Sequence, residues 1–512
     1  MPEFPNTAFM QHGRRLVVVP AIARRIVYRC SFLIGSAAGL TLLCSYCAIT
    51  QVKTSEIAKT AFAPVRRDNP SLLFNAHIAM PPLHAFPVSF FRRSAIGLYL
   101  VVLLAATSAG GGGNAVAAEP AITAQQITFG PKNHFFGYIG HGLTIPWNES
   151  GRYVVSLRTD FHDRMPVVGD VAEVVLIDTH KQNEVAVVDR TRAWNLQQGT
   201  MLYWNPNQAE SQFFFNDVDA KTGVVFTVLY DIEQRRRVRE YRFGNESIAN
   251  GGVAPNGKYF VGINYGKISR SREVIAYPGT FDWTAEGPAN PTNDGLFRVD
   301  VESGERKLLV SYKQLSDLLL DNPKERARLG DPDKYPIYVH HTLWNRNSEW
   351  ITFIVRGKGN KRPSVGCAVR VDGTGLRKIP FAGHPEWLEG TLFAMASKEH
   401  DAYNLYDVAA EKWAGQLGGP GVFPDTDDDN ALSPDTKLYV GSYKQKPTEC
   451  VYTIYRRSDG TYVRSPPIPT KAGGGVVRID SAPRWNRTSD GLLVPGVAQD
   501  GTLQLFVLRL TK

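Results

Sequence analysis

The chain has 512 residues, 43% of them hydrophobic and 11% aromatic, which is ample for a large core. Its formal charge of +9 is unevenly placed: residues 1–118 hold eleven Lys/Arg against three Asp/Glu, whereas 119–512 hold 47 basic and 46 acidic residues. A body so close to neutrality lacks the electrostatic footprint that phosphate backbones require, so no nucleic-acid partner is expected.

In chain order, residues 1–118 read as a leader with two apolar stretches. The first, 30–50, follows Arg24, Arg25 and Arg29 and is long enough to span a bilayer. The second lies in 80–118. Arg92 and Arg93 precede an apolar run from Ala95 to Ala109, and Ala115-Val-Ala117 follows, the pattern of a secretory signal with cleavage after Ala117 or Ala118. A start at Met80 would make that signal an ordinary one. Cleaved export and a retained membrane anchor both remain open, and in either case the body, 119–512, is expected in the periplasm or outside the cell. Membrane contact is expected through the leader alone.

From 121 onward short β-branched and aromatic runs alternate with Gly, Asn and Asp turns, an all-β pattern. Examples are Val154-Val-Ser-Leu157, Val174-Val-Leu-Ile177 and Val224-Val-Phe-Thr-Val-Leu229. The clearest helix is Lys313 to Leu320, with Pro323 soon after. An internal repeat organises the strands: a hydrophobic anchor, then a polar turn, then an apolar strand. The anchors are Trp147, Trp204, Val253, Trp344, Trp387, Leu432 and Trp485, spaced 57, 49, 91, 43, 45 and 53 residues apart. Four-stranded blades need roughly 40–50 residues. Seven anchors therefore predict a seven-bladed β-propeller, with six or eight blades as alternatives. The 91-residue interval is read as one blade plus loops at 266–293 and 312–338. Third strands end in Asp before a hairpin at Asp178, Asp300, Asp372 and Asp407.

The Ser433-Pro-Asp turn resembles the propeller repeats of TolB. A wider set resembles oligogalacturonate lyases: Thr191-Arg-Ala-Trp-Asn-Leu-Gln-Gln-Gly-Thr-Met-Leu-Tyr-Trp204, Asp294-Gly-Leu-Phe-Arg-Val-Asp300, His340-His-Thr-Leu-Trp344, Gly383-His-Pro-Glu-Trp387 and Arg478-Ile-Asp-Ser-Ala-Pro-Arg-Trp485. That resemblance implies β-elimination from acidic, uronate-bearing oligosaccharides. It also implies a manganese-type ion held by histidines and a glutamine in the channel.

Three residues upstream of each anchor the innermost strand should begin, and equivalent positions on adjacent blades should converge. That index gives Thr144, Met201, Asn250, His341, His384, Asp429 and Ala482. His341, His384 and Asp429 are thus the candidate ligands of a divalent metal. Gln197 or Gln198 is the position for the glutamine that the resemblance implies. Such an ion would stabilise the enolate formed when the proton α to a carboxylate is removed. His340, Arg192 and Arg484 are candidate base and charge-compensating groups. Departures matter: related propellers often carry histidine where this chain has Asp429 and Ala482.

Competing readings stand beside these. An inner-strand histidine often only hydrogen-bonds a neighbouring blade. The acidic run 425–429 reads as a solvated loop or a calcium site, Arg235-Arg-Arg237 as a solvated hairpin tip, and the Trp anchors as core. Cys367 and Cys450 fall in different blades and read as two buried thiols. No Gly-x-Ser-x-Gly elbow marks a serine hydrolase. The rival to an enzyme is a monomeric envelope propeller that holds a protein or glycan partner on the loops 266–293 and 312–338.

Overall fold

The computed structural model describes residues 121–137, 143–331, 335–357, 364–397, 401–472 and 474–511. The leader, with its signal-like and apolar stretches, lies outside the described residues. No described helix is long and apolar enough to cross a membrane.

Seven antiparallel sheets form the blades of a β-propeller. Their first strands are Asn133–Phe135, Tyr203–Trp204, Ile248–Val253, Tyr338–Trp344, Glu386–Trp387, Asn430–Leu432 and Arg484–Trp485. In blade one Trp147 lies beyond the first strand and forms an isolated bridge with Val154. Six of the seven predicted anchors therefore close a first strand, and the seven-blade count holds. The 91-residue interval contains one blade, three α-helices, a short 3-10 helix at Glu273–Ile275 and no hidden eighth sheet among the described residues. Blade seven is completed from the other end of the body, where Ile122–Gln126 pairs with Leu503–Leu510.

The repeat has a physical logic that the anchors reveal. Four Trp anchors donate the indole N–H to the preceding blade, always to the carbonyl just before that blade's own anchor. Trp204 reaches Pro146 at 2.7 Å, Trp344 reaches Gly252 at 2.9 Å, Trp387 reaches Leu343 at 3.0 Å and Trp485 reaches Ala431 at 3.1 Å. An inner-strand carbonyl buried against the next blade needs a donor, and indole supplies one with a large apolar body. The anchors are buried, as expected of core.

The residue after the anchor shapes the turn. Asn148 Oδ1 accepts from Tyr153 N, Asn345 Oδ1 from Glu349 N and Trp350 N, and Ser433 Oγ from Leu438 N. These side chains cap the turn backbone, which explains the recurring Trp-Asn. The Asp residues at third-strand ends act likewise; Asp407 Oδ1 accepts from Ala409 N and Ala410 N.

The inserts are packed rather than free. Helix α1 (Tyr265–Ser271) is capped by Asn264, and the segment after it folds back so that Tyr265 and Tyr277 stack at 4.5 Å. Helix α2 (Tyr312–Leu320) matches the predicted helix with one more residue, and a Ser311–Gln314 capping box starts it. Helix α3 (Pro323–Leu329) and α1 were not anticipated. Tyr277, Ile275, Tyr312 and Leu315 are core residues, so these inserts contribute structure that loops would not.

Two further expectations are settled. Cys367 and Cys450 are free and buried, in blades four and six. Arg237 is not a solvated tip residue: it pairs with Asp189 and Asp217 at 2.9 Å each, joining blades one and two, and only Arg235 sits at the turn.

Candidate functional site

The positions three before each anchor do share one place in the fold. Met201, His341 and Ala482 take left-handed backbone angles (φ 57°, 52° and 36°). Two first strands carry a bulge there, between Asn250 and Gly252 and between His340 and Leu343. A bulge re-aims side chains where a strand enters a site. Around the axis these positions touch in sequence. Asn250 Nδ2 donates to Met201 O at 3.3 Å, His384 Nδ1 lies 3.6 Å from Asp429 Oδ1, and Ala482 N donates to Asp429 Oδ2 at 2.9 Å.

His341, His384, Asp429, Asn430 and Arg484 line one cavity of about 550 Å³, counting the space open at its mouth, with Leu343, Ile354, Phe381 and Phe393 as its apolar wall. Blades four to seven thus bring four predicted site residues together. His384 keeps its ring about a third exposed (36%) and donates Nδ1–H to Asp427 O at 2.8 Å, while Asn430 Nδ2 donates to His384 O. Because Nδ1 carries that proton, Nε2 holds the lone pair of the neutral ring.

The two imidazoles are pushed in opposite directions. Burial lowers the pKa of His384, but the carboxylates of Asp429 and Asp480, the Asp427 carbonyl and Asp428 outweigh it, so the net shift is upward. Burial also acts on His341, and the positive charges of His340, His384, Arg272 and Arg478 act with it, holding this ring well below the ordinary imidazole value. Around them burial raises two carboxyls. Asp480 is pushed up to about 6, with Asp429 the next cause, and Asp428 rises for the same two reasons.

Two residues closer to the anchors, Tyr203, Glu386 and Arg484 stand at equivalent positions of blades two, five and seven, all buried. Burial is the largest cause raising the pKa of the Tyr203 phenol; Arg484 opposes it and Glu386 adds to it. On the turn side, Arg346 of blade four reaches across to the carbonyls of Leu432, Ser433 and Pro434 in blade six, at 2.9–3.2 Å.

The other predicted site residues lie elsewhere. His340 is fully buried in blade four, its ring 5.7 Å from Tyr338 and its Nδ1 against Nδ1 of His341; it does not line the cavity. An inner strand alternates its side chains, so of two adjacent histidines only one can face the channel. Arg192 is exposed, and its backbone N–H donates to Asp217 Oδ1. Gln198 is buried and lines neither channel cavity. Gln197 faces Arg478, and with its amide turned so that the oxygen meets the guanidinium it accepts from Nη1 at 2.6 Å and Nη2 at 2.9 Å. The acidic run is not one solvated loop. Asp425 and Asp427 are exposed, whereas Asp428 accepts from Ser481 Oγ and Asp429 from Ala482 N, latching blade six to seven.

The donors do not fit a three-ligand metal centre. Asp429 spends one oxygen on Ala482 N and turns the other to His384. His384 Nδ1 and His341 Nδ1 are also engaged. Among the described residues no three His, Cys, Asp or Glu side chains are placed to hold a metal ion.

Glu386, Arg478 and Asp480 also line the two neighbouring cavities without having been expected there, although each sits inside one of the motifs described above. Indexing one residue before the anchor would have found Glu386.

No protein-family model and no curated protein matches the chain. Among solved structures its fold is similar to an oligogalacturonate lyase in complex with manganese (13% identity, TM-score 0.49, covering 77% of this chain and 95% of that one). It is also similar to TolB from Acinetobacter baumannii (13%, 0.34, 71% and 81%). A third is the Cps50 (Swd1) β-propeller domain of Myceliophteria thermophila (15%, 0.40, 74% and 100%). The likeness is one of fold.

Proposed function

We propose that the cavity of blades four to seven binds an acidic oligosaccharide and moves a proton on it, in a lyase-like β-elimination from a uronate residue. The observation that carries this reading is the pairing of His341 and His384 in one cavity, with environments that drive their proton affinities apart. Groups split in this way take acid and base roles. His341 stays neutral at neutral pH and serves as base at the carbon α to the carboxylate. His384, favoured as the cation, donates a proton to the leaving oxygen. Arg484 offers a charge partner for the substrate carboxylate and for the enolate that develops from it. The electron pair of the broken C–H bond forms the new C=C bond, and the leaving sugar departs with the proton from His384.

This version needs no ion, which departs from the metal-assisted chemistry that the resemblance implies. The test is a panel of acidic oligosaccharides followed by absorbance of the unsaturated uronate, with and without chelator. Activity that survives chelation and is lost in both His341→Gln and His384→Gln supports the reading. Activity lost on chelation and restored by manganese or calcium would favour the metal-assisted form. Saturable binding with no unsaturated product would favour a non-catalytic glycan-binding propeller.

A further inference from the structure

The cavity that holds His341 and His384 is close to electrical balance before any ligand enters. Asp429 and Glu386 line it as carboxylates, against Arg484 and a His384 that its surroundings favour as the cation. His341 lines it as a neutral ring. Arg478 is engaged with Asp480 outside this lining, and Arg272, whose charge acts on His341, does not line it either. A substrate carboxylate placed here would turn the lining net negative, and a buried charge without a counter-charge is costly. One whole side of the cavity is apolar, closed by Ile354, Ile379, Phe381 and Phe393. All but the partly exposed Phe381 are buried.

The elimination makes the same demand. Taking the α proton from a carboxylate puts a second negative charge on a group that already has one, a burden that a bound cation relieves. Taking it from an ester creates only the first, on an enolate oxygen that one guanidinium can receive. The donors of this site do not make a three-ligand metal centre, so the ester matches the groups that the chain itself supplies.

We infer that the uronate residue held at His341 and His384 is bound as its methyl ester, the methyl against Ile354, Ile379, Phe381 and Phe393 and the carbonyl oxygen toward Arg484. This inference rests on the lyase-like reading above and narrows its substrate to a partly esterified acidic glycan. His341 takes the α proton, and the electron pair of that C–H bond becomes the C=C bond. The bond to the leaving oxygen breaks, and that oxygen takes its proton from His384. The ester bond stays intact, so no co-reactant is consumed.

The probes are an oligogalacturonate and a half-methyl-esterified sample of the same length, given to the full chain at neutral pH and followed by absorbance of the unsaturated product. The esterified form is expected to turn over at least about tenfold faster in kcat/KM. Equal or faster turnover of the free acid overturns the inference and leaves the elimination itself standing. Calorimetric titration of both probes into His341→Gln, which lacks the proposed base, reads binding without turnover. Tighter binding of the ester there supports the inference even if neither probe is cleaved by the wild type, a result that would sink the lyase reading alone. Equal or tighter binding of the acid, or no binding of either, overturns the inference. Phe381→Arg, at the partly exposed end of the apolar wall, sets a cation where the methyl should lie. It should lower the preference for the ester about tenfold, and an unchanged preference removes the ester from that wall.

Discussion

Acidification should loosen the seam between blades seven and one through His134. This ring is buried at 2% exposure in the first strand of blade one and donates Nδ1–H to Gln504 Oε1 of blade seven at 2.9 Å. The tautomer follows from Gln504, whose amide nitrogen already donates to Lys132 O. Burial is the largest cause of a pKa lowered to about 4, with the Arg158 charge assisting against the Gln504 hydrogen bond. The unfolded chain, near the ordinary imidazole value of about 6.5, therefore binds more protons than the native state between about pH 4 and about pH 6.5. Stability from this group is complete above that window and is lost as pH falls through it. At about pH 5 the linkage amounts to about 2 kcal/mol. Urea unfolding of the wild type and of His134→Gln, followed by circular dichroism at about pH 8 and about pH 5, isolates the effect. The wild type should lose about 2 kcal/mol more than the variant across that interval. Parallel losses would refute the reasoning.

The indole links make a second prediction. Trp387→Phe removes the donor to Leu343 O and trims a buried ring, so it should cost about 2–4 kcal/mol in urea unfolding. Trp413→Phe, at a position 57% exposed, should stay within about 0.5 kcal/mol; equal losses would sink the account of the anchors. If His384 acts as the acid, activity should fall as pH rises through its elevated pKa. Asp429→Asn, which removes the nearest carboxylate, should move that alkaline limb to lower pH. A limb that stays in place in the pH–rate profile would remove His384 from the role.

Much of this architecture was legible because the repeat is written in chemistry that short windows contain. Trp followed by Asn marks both a strand end and its turn, and counting back from the anchor located His341, His384 and Asp429. What stayed hidden depends on partners far apart in the chain. Arg237 looks like one of three solvated arginines until Asp189 and Asp217 are brought beside it. His340 and His341 are indistinguishable as adjacent letters, and only the bulge decides which one faces the channel. The insert after blade three's second strand read as loop because α1 is a single short helix whose stability comes from packing, not from its own periodicity.

The pairing of Ile122–Gln126 with Leu503–Leu510 carries a consequence for how the molecule is made. Partners nearly four hundred residues apart cannot meet until synthesis of the body is almost finished. Until then the early segment waits and the final sheet has a raw edge, which is a template for any other chain. Joining distant ends in one chain costs entropy that grows only logarithmically with separation, so dilute chains should shut their own rings. In a crowded compartment the same edge can accept the waiting segment of a neighbour, linking molecules by exchange. Concentration during refolding, more than temperature, should govern the yield of single closed rings.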